Sequence, residues 1–379
     1  MKVFLVAGEA SGDRLGAALM AGLRELRPDM RFCGVGGPLM QAEGLDSLFP
    51  MSDLSVMGLA EIIPRYPHLR RRLHQAADAA VSEAPDLLVT IDSPDFCLRL
   101  ARLVRARAPT RIVHYVAPSV WAWRPGRAAR MAGRVDQVLA VLPFEPPYME
   151  AAGVACDFVG HPVVSEPVAT PDEIAAFRDE HALKGPALCV LPGSRQGEIA
   201  RLAPVFGRTL ADLARTMPDL AAVVPVAPGL MSAMKELTKD WPLEPVLIDA
   251  GERSRKWAAF GACDAALAAS GTVSLELARA GVPMIVAYDM AWLSRKIITA
   301  MALIDTVTLV NLVSETRAVP EFIGARCRAD LIAPALQDLL RNPETRAPQQ
   351  AAARLTMERL GLHDAPPGLR AAQAILARL

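Results

Sequence analysis

No two cysteines in this chain stand at CxxC spacing. Its six thiols, Cys33, Cys97, Cys156, Cys189, Cys263 and Cys327, are scattered singly, four of them in or beside apolar runs. Such cysteines read as reduced core thiols rather than as a zinc site or a disulfide framework. An Asp-x-Asp pair is missing, as is any His/Cys cluster with metal-ligand spacing. The expectation is therefore a reaction that uses no metal and no cofactor. Net charge is missing too, since 41 Lys+Arg are balanced by 41 Asp+Glu. That balance argues against a nucleic-acid partner held by general phosphate attraction. Mean hydropathy is high at +0.24, yet long apolar runs are absent. The most apolar long stretch, 282–304, is broken by Asp289, Arg295 and Lys296, whereas a spanning helix needs about 18–20 mostly apolar residues. One short apolar run lies between Met1 and Gly8, and Glu9 and Asp13 follow at once, the wrong pattern for a secretory leader.

What is present is alternation. At 379 residues and 52% hydrophobic, the chain is long enough for two domains, each with a sizeable core. Strand-like runs at Lys2 to Ala7, Leu87 to Ile91, Arg111 to Tyr115 and Gln137 to Leu142 alternate with helical patterns, the first of them from Asp13 to Leu26. A second series follows at Ala187 to Leu191, Ala221 to Pro225, Pro245 to Ile248, Ala265 to Leu267 and Pro283 to Ala287. Strands alternating with helices mean an α/β fold with parallel sheets. The proline-rich stretch 160–171, with a fresh helix start at Thr170-Pro-Asp-Glu173, marks the boundary. Three parts are expected: a Rossmann-like lobe over 1–165, a second over 166–345, and a helical tail over 346–379. The lobes would face a cleft. The tail would pack back on the first lobe or on a partner chain.

Several strand ends carry chemistry. Gly8-Glu-Ala-Ser-Gly-Asp13 lies between the first strand and a helix, where backbone N–H groups meet an anion or a hydroxyl-rich ligand. It is not GxGxxG; the alternative is that Ser11 or Asp13 caps the helix, but Glu9 has no capping reason. Gly34-Val-Gly-Gly-Pro38 is either a second ligand loop or a flexible strand end. Thr90-Ile-Asp-Ser-Pro-Asp-Phe96 sets Asp92 at the lip of a strand, placed to take a proton from a substrate hydroxyl or to serve structure, while Asp95 is expected to cap the following helix. In His114-Tyr-Val-Ala-Pro-Ser-Val-Trp-Ala-Trp-Arg124, the histidine reads as a core residue. The two tryptophans suit a sugar ring or an acyl chain, with packing open as the role of one. Leu191-Pro-Gly-Ser-Arg-Gln-Gly-Glu198 places backbone amides and the Arg195 guanidinium in one turn, a pyrophosphate cradle without the Walker Gly-Lys-Ser/Thr. Ala269-Ser-Gly-Thr-Val-Ser-Leu-Glu276 repeats that layout, and the acceptor-only carboxylate of Glu276 suits both hydroxyls of a ribose.

Over nearly the whole chain these stretches, with GVGGPLMQAEG, VMGLAEIIPR, LPFEPPYM, FVGHPV and Asn311-Leu-Val, resemble the lipid-A-disaccharide synthase family. The resemblance implies a two-lobed glycosyltransferase of the B type (GT-B). It would join UDP-2,3-diacylglucosamine to 2,3-diacylglucosamine 1-phosphate with inversion, giving a β-1,6 disaccharide 1-phosphate and UDP, in lipid A (lipopolysaccharide) biosynthesis of a Gram-negative bacterium. Asp92 would be the base. Glu9 and Ser11 would contribute from the first lobe. UDP would lie on the second, held by Gly193, Ser194, Arg195, Ser270, Gly271, Thr272, Glu276 and Asn311. His161, in the Gly-His-Pro hinge, would touch the reacting groups or serve the hinge alone. The tail helices of the family exchange between subunits, which leaves a homodimer open. Acylated substrates imply a cytoplasmic protein bound peripherally to the inner membrane. In keeping with this, residues 65–134 hold 13 Arg against 5 acidic residues. Ile62, Ile63, Arg65, Arg70 and Arg71 are the expected membrane contacts, unless that segment is an ordinary amphipathic helix. Two other readings stand beside this one. A hexosamine 2-epimerase or a peptidoglycan transferase would share the architecture, and a nucleotide-sugar binding module would not need Asp92.

Overall fold

The structure, a computed structural model, describes every residue except 55–58, 123–125 and 291–303, and of 59–64 it describes the backbone alone. The chain divides into two units, Met1–Ser165 with His363–Leu379, and Glu166–Leu362.

In the first unit seven strands, β1 (Lys2–Ala7), β2 (Arg31–Val35), β3 (Asp46–Ser47), β4 (Leu87–Ile91), β5 (Arg111–Tyr115), β6 (Gln137–Ala140) and β7 (Ala155–Phe158), form one parallel sheet in the order β3-β2-β1-β4-β5-β6-β7. The second unit orders β8 (Ala187–Leu191), β9 (Ala221–Val226), β10 (Val246–Asp249), β11 (Ala265–Ala268), β12 (Met284–Tyr288) and β13 (Glu321–Ile323) as β10-β9-β8-β11-β12-β13, again parallel. A parallel sheet is covered on both faces, so its strands read as continuous apolar runs rather than alternating ones. Every residue of β4 and β8 is accordingly buried. Both sheets have the Rossmann-like order of the GT-B fold. Each has a point where strand order reverses, β1/β4 in one and β8/β11 in the other, and ligands of such sheets bind beyond the strand ends there.

The unit boundary at Ser165/Glu166 falls within the proline-rich stretch, and the next helix, Pro171–Glu180, opens with a full capping box between Thr170 and Glu173. Strand β2 entered the sequence reading only as the strand end at the Gly34 loop, while β3, β7 and β13 are absent from it, and these three are edge strands of at most four residues. The first helix also starts sooner than expected, at Ala10 instead of Asp13.

The tail begins later than the expected 346. Helix Pro343–Arg359 stays with the second unit because its side chains satisfy backbone groups there. The Met284 N–H donates to Gln349 Oε1 at 2.7 Å, and Arg359 Nη1 donates to the Val313 carbonyl at 2.7 Å. Only from His363 does the chain rejoin the first unit. There helix Pro367–Leu376 lies against helix Ala10–Leu26 so closely that a Cβ on Gly22 would stand 2.7 Å from the Gly368 carbonyl oxygen. Gln137 Nε2 donates to the Ala374 carbonyl at 3.0 Å, and Arg378 pairs with Asp157 at 2.7 Å. Among the described residues no helix is long and apolar enough to cross a membrane.

Candidate active site

In the first unit the reversal point brings the Gly8 loop and the Asp92 loop together. Gly8 is buried, and a Cβ there would stand 3.0 Å from Ser93 Oγ. Beyond β4 two successive non-glycine residues take left-handed backbone, Asp92 at φ +54 and Ser93 at φ +43. Each such residue costs about 1–3 kcal/mol and persists where neighbouring contacts enforce it. The contacts here are the Asp92 N–H donated to the Tyr115 carbonyl at 2.9 Å and the Ser93 N–H donated to Asp92 Oδ1 at 2.8 Å. Ser11 Oγ donates to Asp92 Oδ2 at 3.5 Å. Asp92 is half-buried, Ser11 is exposed, and Glu9 stands at the N-cap of helix Ala10–Leu26. A carboxylate turned out at a strand lip, with a hydroxyl beside it, is equipped to accept a proton.

The capping expectations are corrected. Ser93, not Asp95, occupies the N-cap of helix Pro94–Arg105; exposed Asp95 instead pairs with Arg127 at 3.2 Å. Asp13 is buried and caps a different helix from outside. Its carboxylate accepts the N–H groups of Gly37, Leu39 and Met40 at 2.9–3.0 Å, at the start of helix Pro38–Ala42. A Cβ on Gly37 would lie 2.5 Å from Asp13 Oδ2. The Gly34–Pro38 glycines are therefore a packing requirement.

His114 is a core residue, with Nδ1 2.8 Å from Thr90 Oγ1 and burial pushing its pKa down to about 4. His161 likewise falls to about 4 through burial. Its Nδ1 accepts the Val163 N–H at 3.1 Å, so the neutral ring carries its proton on Nε2 and offers a donor. Trp121 is buried edge-on to Phe144, centroids 5.0 Å apart, and its indole N–H donates to Glu145 Oε1 at 3.3 Å. Trp121 is thus the packing member of the pair, while Trp123 and Arg124 lie outside the described residues. Burial pushes Glu145 up to about 7.

In the second unit the β8 and β11 loops meet in the same way, tied by the Ala269 N–H on the Leu191 carbonyl at 2.8 Å. Gly193, at φ +129, is followed by exposed Ser194 and Arg195, and Arg195 stands at the N-cap of helix Gln196–Ala214. Glu198 organises this turn. It accepts the Ser194 N–H at 3.2 Å, Arg195 Nη1 at 3.3 Å and the Tyr288 hydroxyl at 3.4 Å. Ser270 Oγ donates to the Val307 carbonyl at 3.4 Å. A Cβ on Gly271, at φ +136, would meet nothing within 4 Å, so the backbone there is open to approach, with Thr272 exposed beside it. Both oxygens of Glu276 accept from Lys256 Nζ at 2.7 Å, which holds the side chain in one orientation. Asn311 is buried. Its amide donates to Thr306 Oγ1 at 3.2 Å and the Val319 carbonyl at 2.9 Å, and its Oδ1 accepts the Val319 N–H at 3.0 Å. With Glu321, which accepts the Val307 N–H at 3.0 Å, it shapes the segment that meets Ser270.

Glu145, Glu198, Tyr288 and Lys256 are additions to the sequence reading. A carboxylate inside the apolar Leu-Pro-Phe-Glu run just past a strand was a usable signal for Glu145; nothing local marks Lys256. On helix Leu59–Ser82, Arg65, Arg70 and Arg71 are exposed, the latter two beside His74 in an open groove. The side chains of Ile62 and Ile63 lie outside the described residues.

The chain matches the family model described as lipid-A-disaccharide synthetase over residues 3–367. It is 59% identical to the lipid-A-disaccharide synthase of Ruegeria pomeroyi, covering 100% of this chain and 96% of that protein. It is 47% identical to that of Rhodospirillum centenum, covering 99% and 94%. Solved structures share the fold at low identity. Staphylococcus aureus MnaA in a UDP co-structure superposes with TM-score 0.66 and 13% identity, covering 99% of this chain and 94% of that one. Acinetobacter baumannii MurG gives 0.58 and 14%, covering 100% and 99%. The chain belongs to the lipid-A-disaccharide synthase family, glycosyltransferases of lipid A biosynthesis.

Proposed function

We propose that the protein transfers 2,3-diacylglucosamine from UDP to 2,3-diacylglucosamine 1-phosphate, with inversion, forming the β-1,6 disaccharide 1-phosphate and UDP. Asp92 takes the proton of the acceptor's 6-hydroxyl. The freed oxygen bonds to the anomeric carbon from the face opposite UDP as the bond to the diphosphate breaks, and the electron pair leaves on UDP. Arg195 and the Ser194 amide, exchanging Glu198 for the diphosphate, neutralise the departing charge together with the Gly193 amide and the first N–H groups of helix Gln196–Ala214. Serine, glycine and threonine at 270–272 extend that cradle, and Glu276 holds the ribose. Asn311 serves the nucleotide through the segment it braces, while Ser11, Glu9 and the Nε2 donor of His161 serve the sugars.

One observation carries this reading: Asp92 is held in left-handed backbone at the reversal point of its sheet, with Ser11 beside it, in a chain of this family. The test mixes the protein with the two acylated glucosamine substrates and looks for UDP and disaccharide phosphate. Asn tolerates left-handed backbone, so Asp92→Asn removes the base and keeps the turn. Turnover is expected to fall by about 10²–10⁴-fold, and an Asp92→Asn enzyme of wild-type rate refutes the assignment.

The acylated substrates place the enzyme peripherally at the cytoplasmic face of the inner membrane, with exposed Arg65, Arg70 and Arg71 toward anionic lipid and Ile62 and Ile63 on the same helix. A homodimer built by tail exchange requires helix Pro367–Leu376 to leave its own first unit.

A further inference from the structure

The chain leaves β5 through Val116 at φ +80, a conformation that a β-branched residue rarely takes. This is the second strained strand end in the sheet, adjacent to that of Asp92. Strain of this kind needs external restraint, and the turn 117–122 receives it from three directions. At its start the Val116 N–H donates to the Leu139 carbonyl at 3.0 Å. Near its end the Trp121 indole donates to Glu145. Beyond it, Arg127 reaches back to Asp95 on the helix that follows Asp92. Glu145 is the unusual member. It is 3% exposed, and its other oxygen accepts the N–H groups of Val141 at 3.1 Å and Leu142 at 3.0 Å. Among the described residues no cation pairs with it; a carboxylate buried in that way is costly to keep, and packing alone would be served by an apolar side chain.

We propose that Glu145 is a positioning residue for the acceptor: it fixes the turn 117–122 beside Asp92, so that the acceptor sugar meets a preformed wall. The proposal rests on the reading of Asp92 as the base that faces the acceptor. Glutamine has the shape of glutamate, but its NH₂ must face either the indole N–H or the two amides, donor against donor.

The experiment measures KM for each substrate in Glu145→Gln, Trp121→Phe and the double variant. For Glu145→Gln the acceptor KM is expected to rise about tenfold, the order expected for one lost hydrogen bond to a charged group, with the donor KM within about twofold. Trp121→Phe keeps a ring and deletes the N–H, so it should move the acceptor KM the same way. The double variant should be no worse than Glu145→Gln, because both break one link. An unmoved acceptor KM, a donor KM that rises in step, or effects that multiply would each overturn the proposal. Should Glu145→Gln fail to fold, an unmoved acceptor KM in Trp121→Phe decides against it. A wild-type protein that makes no product overturns the reaction itself and this role with it, whereas an active wild type with an unaffected Glu145→Gln removes the role of Glu145 alone.

Discussion

Glu145 is a carboxylic group whose pKa, about 7, stands above its ordinary 4.5 because burial disfavours the charged form, more than the Leu142, Trp121 and Val141 hydrogen bonds favour it. The folded protein therefore binds this proton more tightly than the unfolded chain. The resulting stability is complete below about pH 4.5 and is lost as pH rises through about 7. Wild type should lose stability relative to Glu145→Gln between pH 5 and pH 8, read as urea midpoints; parallel curves would show the group unperturbed. Residues like this explain what single-sequence reading reached and missed. The position of Asp92 was readable because the apolar run Leu87–Ile91 stops at it. Asp13 was not, since the amides it caps lie 24 to 27 positions along the chain. Glu276 was readable as an acceptor, but its Lys256 partner sits on another helix, 20 positions away.

Elements that are long and fully buried announced themselves, and of the four edge strands only β10, with its Val-Leu-Ile run, did. Two to four residues at a sheet edge bury too little to leave a hydrophobic pattern, which is why β3, β7 and β13 emerge only from pairing. Helix contact is equally silent in sequence, because a small residue signals its use only when the facing helix is known. Gly22 and Gly368 are such a pair. In an isolated helix, alanine in place of glycine stabilises by about 1 kcal/mol. Here the added carbon meets backbone rather than a mobile side chain, so Gly22→Ala is expected to destabilise instead. Urea denaturation checks this, and a gain in stability would mean that the two helices can separate at no cost.

Taken whole, the molecule is neutral, so net charge supplies no attraction to an anionic surface. On the proposed membrane-bound reading, the arginine excess over 65–134 acts locally, within a Debye length of about 8–10 Å. Each basic residue near an anionic surface contributes about 1 kcal/mol. Arg70→Glu with Arg71→Glu should therefore lower the fraction sedimenting with anionic vesicles, leave UDP affinity unchanged, and lose its effect in high salt. Equal sedimentation of variant and wild type would reject this face as the contact. The two-unit layout itself was readable from βα alternation and a proline-rich boundary. The true start of the tail was not, because it depends on which unit Gln349 and Arg359 bond to.

That returning tail sets an order of assembly. Sequence places the first sheet earliest in synthesis, yet Gln137 and Asp157 wait for partners, Ala374 and Arg378, that emerge only after the whole second unit. Domains generally fold as units from the N-terminus onward during translation. Here the unit begun first is completed last, and until then the surface meant for helix Pro367–Leu376 stays open to other chains and to chaperones.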